Sequence, residues 1–474
     1  MKIRGGTRSR PAPSSKVEYS MSGMPFFQAL ILLASVIVII VATQWRQLHP
    51  FLAIVVVASA FGLAVGFSTG FLGKAFGAGF SLAIYSPGLV IVAASFVAGV
   101  AESTAASEWL TTKIDHWRWL GPTRLAALLG LIAGIGASPA SAFALLTPLL
   151  RAVRGGAAPN GKATTVASAL AISASHGLLL VSPVLIAPAS ILNAGWGRLA
   201  LFGLPLALLL VACGAAWARW LSVVGASPRP SIEEQHSILP KRGGWSAIVL
   251  VLATTIPLMM LMVQSLGDIP SEPFGGGPTR EMVLGVGRPL VLFLVGLGIM
   301  VIGLWRLSVK LLADSTWTGH ILGNVSSVLL IVGAAGGFQR LCQETGMAEL
   351  LGERLLEWHV GGPGALLIPF LIAAVIKTLQ GSSLVAAITT AGMVHPILAP
   401  LGIGDETEKA LATLAIGVGA MTVSHVNDEY FWLVTGSGGL SPLRGLALVT
   451  VGTLLQGLIA VAALLALSVL VSRF

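Results

Sequence analysis

Long apolar runs separated by short polar loops recur from residue 25 to the end of the chain. Those at about 25–44, 50–67, 86–103, 163–193, 197–220, 245–266, 288–306, 319–341, 408–435 and 443–471 are each about 18 residues or longer, as a bilayer-spanning helix requires. The Gly-rich stretch 70–85 is shorter and reads as an amphipathic or interfacial helix. Two further runs, 123–150 and 361–400, are interrupted by Gly136-Ala-Ser-Pro-Ala-Ser141 and Gln380-Gly-Ser-Ser383. Such an interruption fits a re-entrant hairpin, whose tip backbone is tolerated only where protein or water satisfies it. The alternative is a kinked helix, through Pro139 in the first case and Ser–Gly packing in the second. The pattern predicts an all-α polytopic membrane protein with about 10–12 transmembrane helices.

The apolar pattern also repeats. Ser173-Ala-Ser-His-Gly177 in the first half is echoed by Thr422-Val-Ser-His-Val-Asn-Asp428 in the second. Phe96-Val-Ala-Gly-Val-Ala-Glu102-Ser103 parallels Phe338-Gln-Arg-Leu-Cys-Gln-Glu344-Thr345, and an interrupted run follows each before the Ser-His segment. Three matched features in one order predict two inverted repeats, each with a re-entrant hairpin and a discontinuous helix, and a site where the repeats meet. The expected organisation is a disordered tail (1–24), a first membrane repeat (25–226), a cytoplasmic linker (227–244) and a second repeat (245–474).

Composition supports the membrane reading. The 474 residues are 55% hydrophobic and 10% charged, against roughly a quarter charged in soluble domains. The net charge of +9 would raise the question of nucleic acid in a soluble protein. Here cytoplasmic loops rich in Lys and Arg explain it, and no nucleic-acid partner is expected. If the hairpins do not cross, Arg46, Lys113, Arg118, Arg124, Arg151, Arg154, Lys162, Arg229, Lys241, Arg242, Arg306, Lys310 and Arg444 share one side, the cytoplasmic one. Glu349, Glu353, Glu357, Asp405, Glu406 and Glu408 fall opposite. That layout puts the N-terminus outside, against its basic tail. Translation from Met21 or Met24, or an extra crossing at 70–85, would reconcile the two. Cys213 and Cys342 have no metal-ligand spacing and read as core residues.

Several polar residues stand inside apolar runs, where they are expensive and usually functional. In the second hairpin, Gly381 permits any backbone conformation, Ser382 and Ser383 sit beside freed amides, and the following half-helix would offer its positive end to an anion. Lys377 and Gln380 are placed to neutralise or orient a carboxylate, unless Lys377 snorkels to an interface. Ser138 and Ser141 occupy the first hairpin tip. Ser175 and His176, with Ser424 and Asn427, are candidates to bind substrate at the helix breaks. His425 and Asp428 either carry coupling protons or pair structurally. Glu102 and Glu344 read as solvated carboxylates at span ends.

Taken together, Lys377-Thr-Leu-Gln-Gly-Ser-Ser-Leu-Val-Ala-Ala387, Ala415-Ile-Gly-Val-Gly-Ala-Met-Thr-Val-Ser-His-Val-Asn-Asp-Glu-Tyr-Phe-Trp-Leu-Val434 and Leu330-Ile-Val-Gly-Ala-Ala-Gly-Gly-Phe338 resemble the gluconate permease (GntP) family. The resemblance runs over about residues 25–471. It implies a secondary transporter of the ion-transporter superfamily, with paired hairpins, a homodimeric scaffold, elevator-type movement and a location in the inner or plasma membrane. The cargo it implies is a small organic anion such as gluconate, a related sugar acid, or a hydroxy or amino carboxylate, carried with protons. The first half departs from the gluconate pattern, with Gly136-Ala-Ser-Pro139 and Leu178-Leu-Leu-Val-Ser-Pro-Val-Leu-Ile-Ala-Pro188 in place of the family's Gly-Gly-Pro and Pro-Pro-His-Pro-Gly-Pro. A cation/proton antiporter of the same superfamily is the alternative. An intramembrane enzyme is disfavoured, since no His-Glu-x-x-His motif and no base beside the serines appears. No cofactor or metal is expected.

Overall fold

In the computed structural model, the described residues are 25–115, 121–135, 138–153, 161–180, 182–224, 243–267, 272–273, 275–357 and 362–471. The expected tail (1–24), residues Gly136 and Ala137 of the expected first hairpin tip, and most of the expected linker at 227–244 lie outside them. Gly243 and Gly244 open a helix. All regular structure among the described residues is helical.

The first half contains α1 (Pro25–Gln44), α2 (Pro50–Ala64), α3 (Thr69–Ala83), α4 (Leu89–Glu102), α5 (Ala106–Asp115), α6 (Pro122–Ala133), α7 (Pro139–Val153), α8 (Gly161–Leu178), α9 (Pro183–Leu192) and α10 (Trp196–Val224). The second contains α11 (Gly243–Gly267), α12 (Pro278–Val286), α13 (Pro289–Gly303), α14 (Trp305–Ala313), α15 (Ser315–Glu344), α16 (Met347–Leu356), α17 (Leu367–Gln380), α18 (Ser383–Val394), α19 (Glu406–Gly419), α20 (Glu429–Gly438), α21 (Pro442–Gly445) and α22 (Val451–Val471). Proline opens α2, α6, α7, α9, α12 and α13, where its missing N–H costs no intrahelical bond.

Among the described residues, seven helices are long and apolar enough to cross a membrane, or eight if the bent pair α12–α13 is one span. The expected count was higher because some apolar runs fold as shorter pieces. The run at 50–67 forms a helix of only 15 residues. The run at 408–435 is split by the non-helical stretch between Gly419 and Glu429. The interfacial helix expected at 70–85 is instead the first part of a continuous 34-residue helix, Thr69–Glu102. A π-helical turn at Ile84–Gly88 takes up Pro87, so the hydrogen bond that proline forfeits does not end the helix. No separate crossing arises at 70–85.

The two halves use the same devices in the same order. Thr104 closes α4 by donating to the Ala101 carbonyl and accepting from Ala106 N–H. Thr345 closes α15 by donating to Cys342 and accepting from Met347. Ser138 and Ser382 each accept from an N–H three residues on, capping α7 and α18. Ser182 caps α9 and Asp428 caps α20, each through the N–H two residues on. Both helices are 10 residues long and end on a left-handed residue, Asn193 or Gly439.

Packing exchanges elements between the halves. α9 of the first half packs on α18 and α19, and α20 of the second packs on α7, α8 and α15. One apolar core is built from α8, α9, α10, α17, α18, α19 and α22. A second draws on α1, α2, α3, α7, α15 and α20. At the centre, α8 and α19 cross with backbones touching: a Cβ on Gly177 would lie 2.7 Å from the Gly417 carbonyl oxygen, and one on Gly417 would strike the Gly177 carbonyl. Only residues without side chains fit there. Large apolar side chains such as Leu30, Ile37, Leu201 and Ile302 remain exposed on the outside, as a surface facing hydrocarbon requires.

Candidate functional site

A helix that ends inside a membrane protein leaves its last carbonyls without intrahelical partners. At the end of α17 those partners come from the broken segment between α19 and α20. Asn427 Nδ2 donates to the carbonyls of Thr378 (2.9 Å) and Leu379 (3.3 Å). His425 Nε2 lies 2.8 Å from the same Thr378 oxygen, so that nitrogen carries the hydrogen. Gly381 turns the chain at φ 76° and its N–H closes on Lys377 O at 2.8 Å. A side chain at Gly381 would strike the Asn427 carbonyl oxygen. The turn and the break are therefore fitted to each other at backbone level.

Several backbone groups of the break find partners on other elements. Thr450 Oγ1 donates to Ser424 O (2.5 Å), Ser424 N–H donates to Thr453 Oγ1 (3.1 Å), and Trp432 Nε1 donates to Val426 O (2.8 Å). Irregular backbone at membrane depth survives only when satisfied in this way. Val423 holds φ 57°, a costly conformation for a β-branched residue and one that clusters at functional sites.

At the centre of this arrangement is a buried ion pair. Lys377 Nζ lies 2.6 Å from Asp428 Oδ2, with the side chains 3% and 6% exposed, and it donates to Gly381 O at 2.6 Å. Ser424 Oγ donates to the same carboxylate oxygen at 2.6 Å, while Asp428 Oδ1 accepts from Tyr430 N–H at 2.9 Å. The snorkelling alternative for Lys377 is overturned: its ammonium turns inward because a carboxylate and a tip carbonyl await it. Beside it, Gln380 Nε2 donates to Glu349 Oε1 at 2.6 Å.

The remaining polar atoms share one character. Among the described residues, Gln380 Oε1, Asn427 Oδ1, His425 Nδ1 and Glu349 Oε2 are buried without a hydrogen-bond partner. The partners already named fix the orientation of both amides and the tautomer of the imidazole, so each leftover atom is an acceptor.

The first half is a simpler counterpart. His176 Nδ1 lies 3.3 Å from Gly134 O at the end of α6 and 3.1 Å from Ser182 Oγ. In both halves a histidine thus reaches a carbonyl at the C-terminal end of an earlier helix, Gly134 after α6 and Thr378 in α17. Ser175 bonds back to Ile172 O in its own helix. Ser141 is buried in the first turn of α7, and Ser383 is half-buried at the start of α18. α20 joins the two clusters: Tyr430 OH donates to Ala169 O of α8 at 2.8 Å, and its ring meets Phe143 of α7 edge-on at 6.0 Å. A cavity of about 10 Å³, about one water in size, lies beside Ser173, Gly177, Met421 and Thr453.

The structure thus brings Gln380, Gly381, Ser424, His425, Asn427 and Asp428 into one cluster, and His176 with Gly134 and Ser182 into another. Glu349, Thr378, Thr450 and Thr453 belong to the second-half cluster and were not expected from the sequence. Glu102 and Glu344 are partly exposed and pair with Arg151 and Arg340.

Comparison with known proteins decides what this arrangement belongs to. The model of the GntP family permeases matches residues 27–470. The chain belongs to the GntP family of permeases. It is 29% identical to a gluconate permease of Zymomonas mobilis, over 85% of this chain and 90% of that one. It is 27% identical to a gluconate permease of Pseudomonas aeruginosa, over 87% and 92%. It is 23% identical to a D-serine transporter of Escherichia coli, over 93% and 98%. As a member of that family the chain is a transporter and not an enzyme, and a multi-pass protein of the cell membrane. The resemblance read from Ser424-His-Val-Asn-Asp428 is borne out.

Proposed function

We propose that this permease is a secondary active transporter of a small hydroxylated carboxylate, gluconate or a related sugar acid, moved together with protons. The observation that carries the reading is the acceptor surplus at the second hairpin tip. Four buried acceptors without donors, at Glu349, Gln380, His425 and Asn427, match a ligand that brings hydroxyl hydrogens. The Lys377 ammonium and the Ser382-capped start of α18 supply the positive end for its carboxylate. The names of the gluconate permeases of Z. mobilis and P. aeruginosa support this cargo class.

Two inverted repeats with re-entrant hairpins are part of the same proposal. The matched caps Thr104/Thr345, Ser138/Ser382 and Ser182/Asp428 support a duplication. The reciprocal packing of α9 on α18 and α20 on α7 supports a two-fold relation between the copies. We include in the proposal a homodimer and an elevator-type movement of the hairpin domain. Asn324 and His320 support the homodimer: they form a hydrogen-bonded pair at 3.2 Å on an exposed face of α15, a face that a second protein surface would shield from lipid.

The test is a thermal-shift screen of purified protein against gluconate, other sugar acids, D-serine and simple carboxylates without hydroxyls. Ligand at 100 times its Kd stabilises by about 2.7 kcal/mol. Sugar acids should raise the melting temperature and unhydroxylated carboxylates of equal charge should not. No response to any hydroxylated carboxylate, with sodium-driven pH changes in vesicles lacking organic solute, would replace this reading with the antiporter.

A further inference from the structure

The Lys377–Asp428 pair poses a charge problem for any anion arriving at the hairpin tip. The pair is neutral as a unit, and it is buried. The other ionisable groups facing it add no fixed positive charge. Glu429 and Tyr430 of α20 and His425 of the break interact electrostatically with Asp428. Glu349 of α16 stands behind Gln380. Around them, the hydroxyls of Thr450 and Thr453 bond the Ser424 backbone, and Ser173 and the Ala169 carbonyl of α8 meet the Tyr430 hydroxyl, so none of these adds charge. One lysine thus serves two neighbouring carboxylates, Asp428 and Glu429. Adding a carboxylate ligand would leave an uncompensated negative charge in a low-dielectric site, which is prohibitively costly.

We infer that Asp428 is the proton carrier and that Lys377 is the exchange partner: the substrate carboxylate takes over Lys377 from Asp428, and Asp428 takes up a proton as it is released. This inference rests on the transport reading above. The step balances. The Lys377 N–H hydrogen bond to Asp428 Oδ2 breaks and one to the substrate oxygen forms. A proton from the aqueous side bonds to Oδ2. Summed over Lys377, Asp428 and the ligand, the charge is zero before binding, and it is zero again with lysine cationic, substrate anionic and Asp428 neutral, the other groups being unchanged.

Ser424 is suited to both states. Its hydroxyl now donates to Oδ2 at 2.6 Å. A hydroxyl both donates and accepts, so a rotation lets Ser424 accept from the protonated acid. Lys377 keeps its bond to Gly381 O throughout, which ties occupancy of the lysine to the position of the tip. Asp428 Oδ1 continues to cap α20 through Tyr430 N–H in either protonation state.

The experiment measures proton uptake on adding gluconate to weakly buffered, purified permease with a pH indicator, near neutral pH. The wild type should take up about one proton per bound anion, since one charge must be neutralised. D428N keeps a side-chain oxygen for the helix cap and fixes the neutral form. It should bind gluconate with proton uptake reduced at least about fivefold, and in proteoliposomes it should catalyse counterflow while losing uphill accumulation. D428E should restore uptake of protons. Gluconate binding to the wild type without proton uptake overturns the inference while leaving the transport reading intact. So does D428N that takes up protons as the wild type does. Should D428N not fold, infrared difference spectra of the wild type carrying 13C-labelled aspartate decide: a protonated aspartic acid band that appears with gluconate supports the inference, and its absence overturns it. Failure of every hydroxylated carboxylate to bind the wild type strikes the transport reading itself.

Discussion

Replacing Gly381 by alanine separates two costs that the structure places on one residue. The backbone there holds φ 76°, which costs an L-residue with a side chain about 1–2 kcal/mol. The added methyl would also strike the Asn427 carbonyl oxygen, with the rest of that residue close behind. Forcing extra volume into a packed site costs about 1–3 kcal/mol more. The sum, about 2–5 kcal/mol, acts against the docked position of the Gly381 turn. At about 1.4 kcal/mol per tenfold change, the docked state loses at least about 30-fold in relative population. Two controls isolate the terms. Gly402 has φ 73° and nothing within 4 Å of where a Cβ would stand, so G402A carries only the conformational cost. Gly392 lies inside α18 with open space beside it, and G392A should be neutral or slightly stabilising. Melting in detergent, followed by size-exclusion, should rank G392A above G402A above G381A, and uptake in vesicles should collapse only for G381A. A G381A protein that melts with G392A and transports normally would refute the claim that tip and break are fitted at backbone level.

Two further substitutions test the cluster from other sides. N427A removes a donor from the Thr378 and Leu379 carbonyls; Thr378 keeps His425, so the stranded Leu379 acceptor should cost about 1–3 kcal/mol, and an unchanged melting temperature would mean that water replaces the amide. S138A and S382A each delete a helix cap and should each cost about 1 kcal/mol. Comparable losses for the two in melting experiments support equivalent tips, while a silent S138A would count against the duplication.

Much of this organisation was legible in the sequence because breaks in apolar runs have few causes. Gly381-Ser382-Ser383 and Ser138-Pro139 cannot continue a buried helix cheaply, and both mark helix ends in the structure. The density of polar groups in Ser424-His-Val-Asn-Asp428 likewise announced a segment that lipid could not touch. What stayed hidden depends on contacts distant in sequence or on backbone atoms. Lys377 and Asp428 are 51 positions apart, and nothing local says that the ammonium turns inward. Thr378 contributes its carbonyl, which no residue type advertises. Glu349 reads as a loop acid but reaches Gln380 across α16 and α17. Around Pro87, the glycines of 70–85 and the proline read together as a boundary, and the π-turn that bridges it has no composition of its own. Sequence alignment of the halves pairs Ser103 with Thr345, whereas the hydrogen bonds pair Thr104 with it, a register that only geometry supplies.

The contact of Gly177 with Gly417 constrains how this machine can work. Two main chains pressed together have no interposed side chains to re-sort, so neither helix can slide along the other without prising the junction apart. In the movement proposed above, the polar stations of the first and second halves would therefore travel as a single carriage, with the pivot where the packing is looser than at this weld.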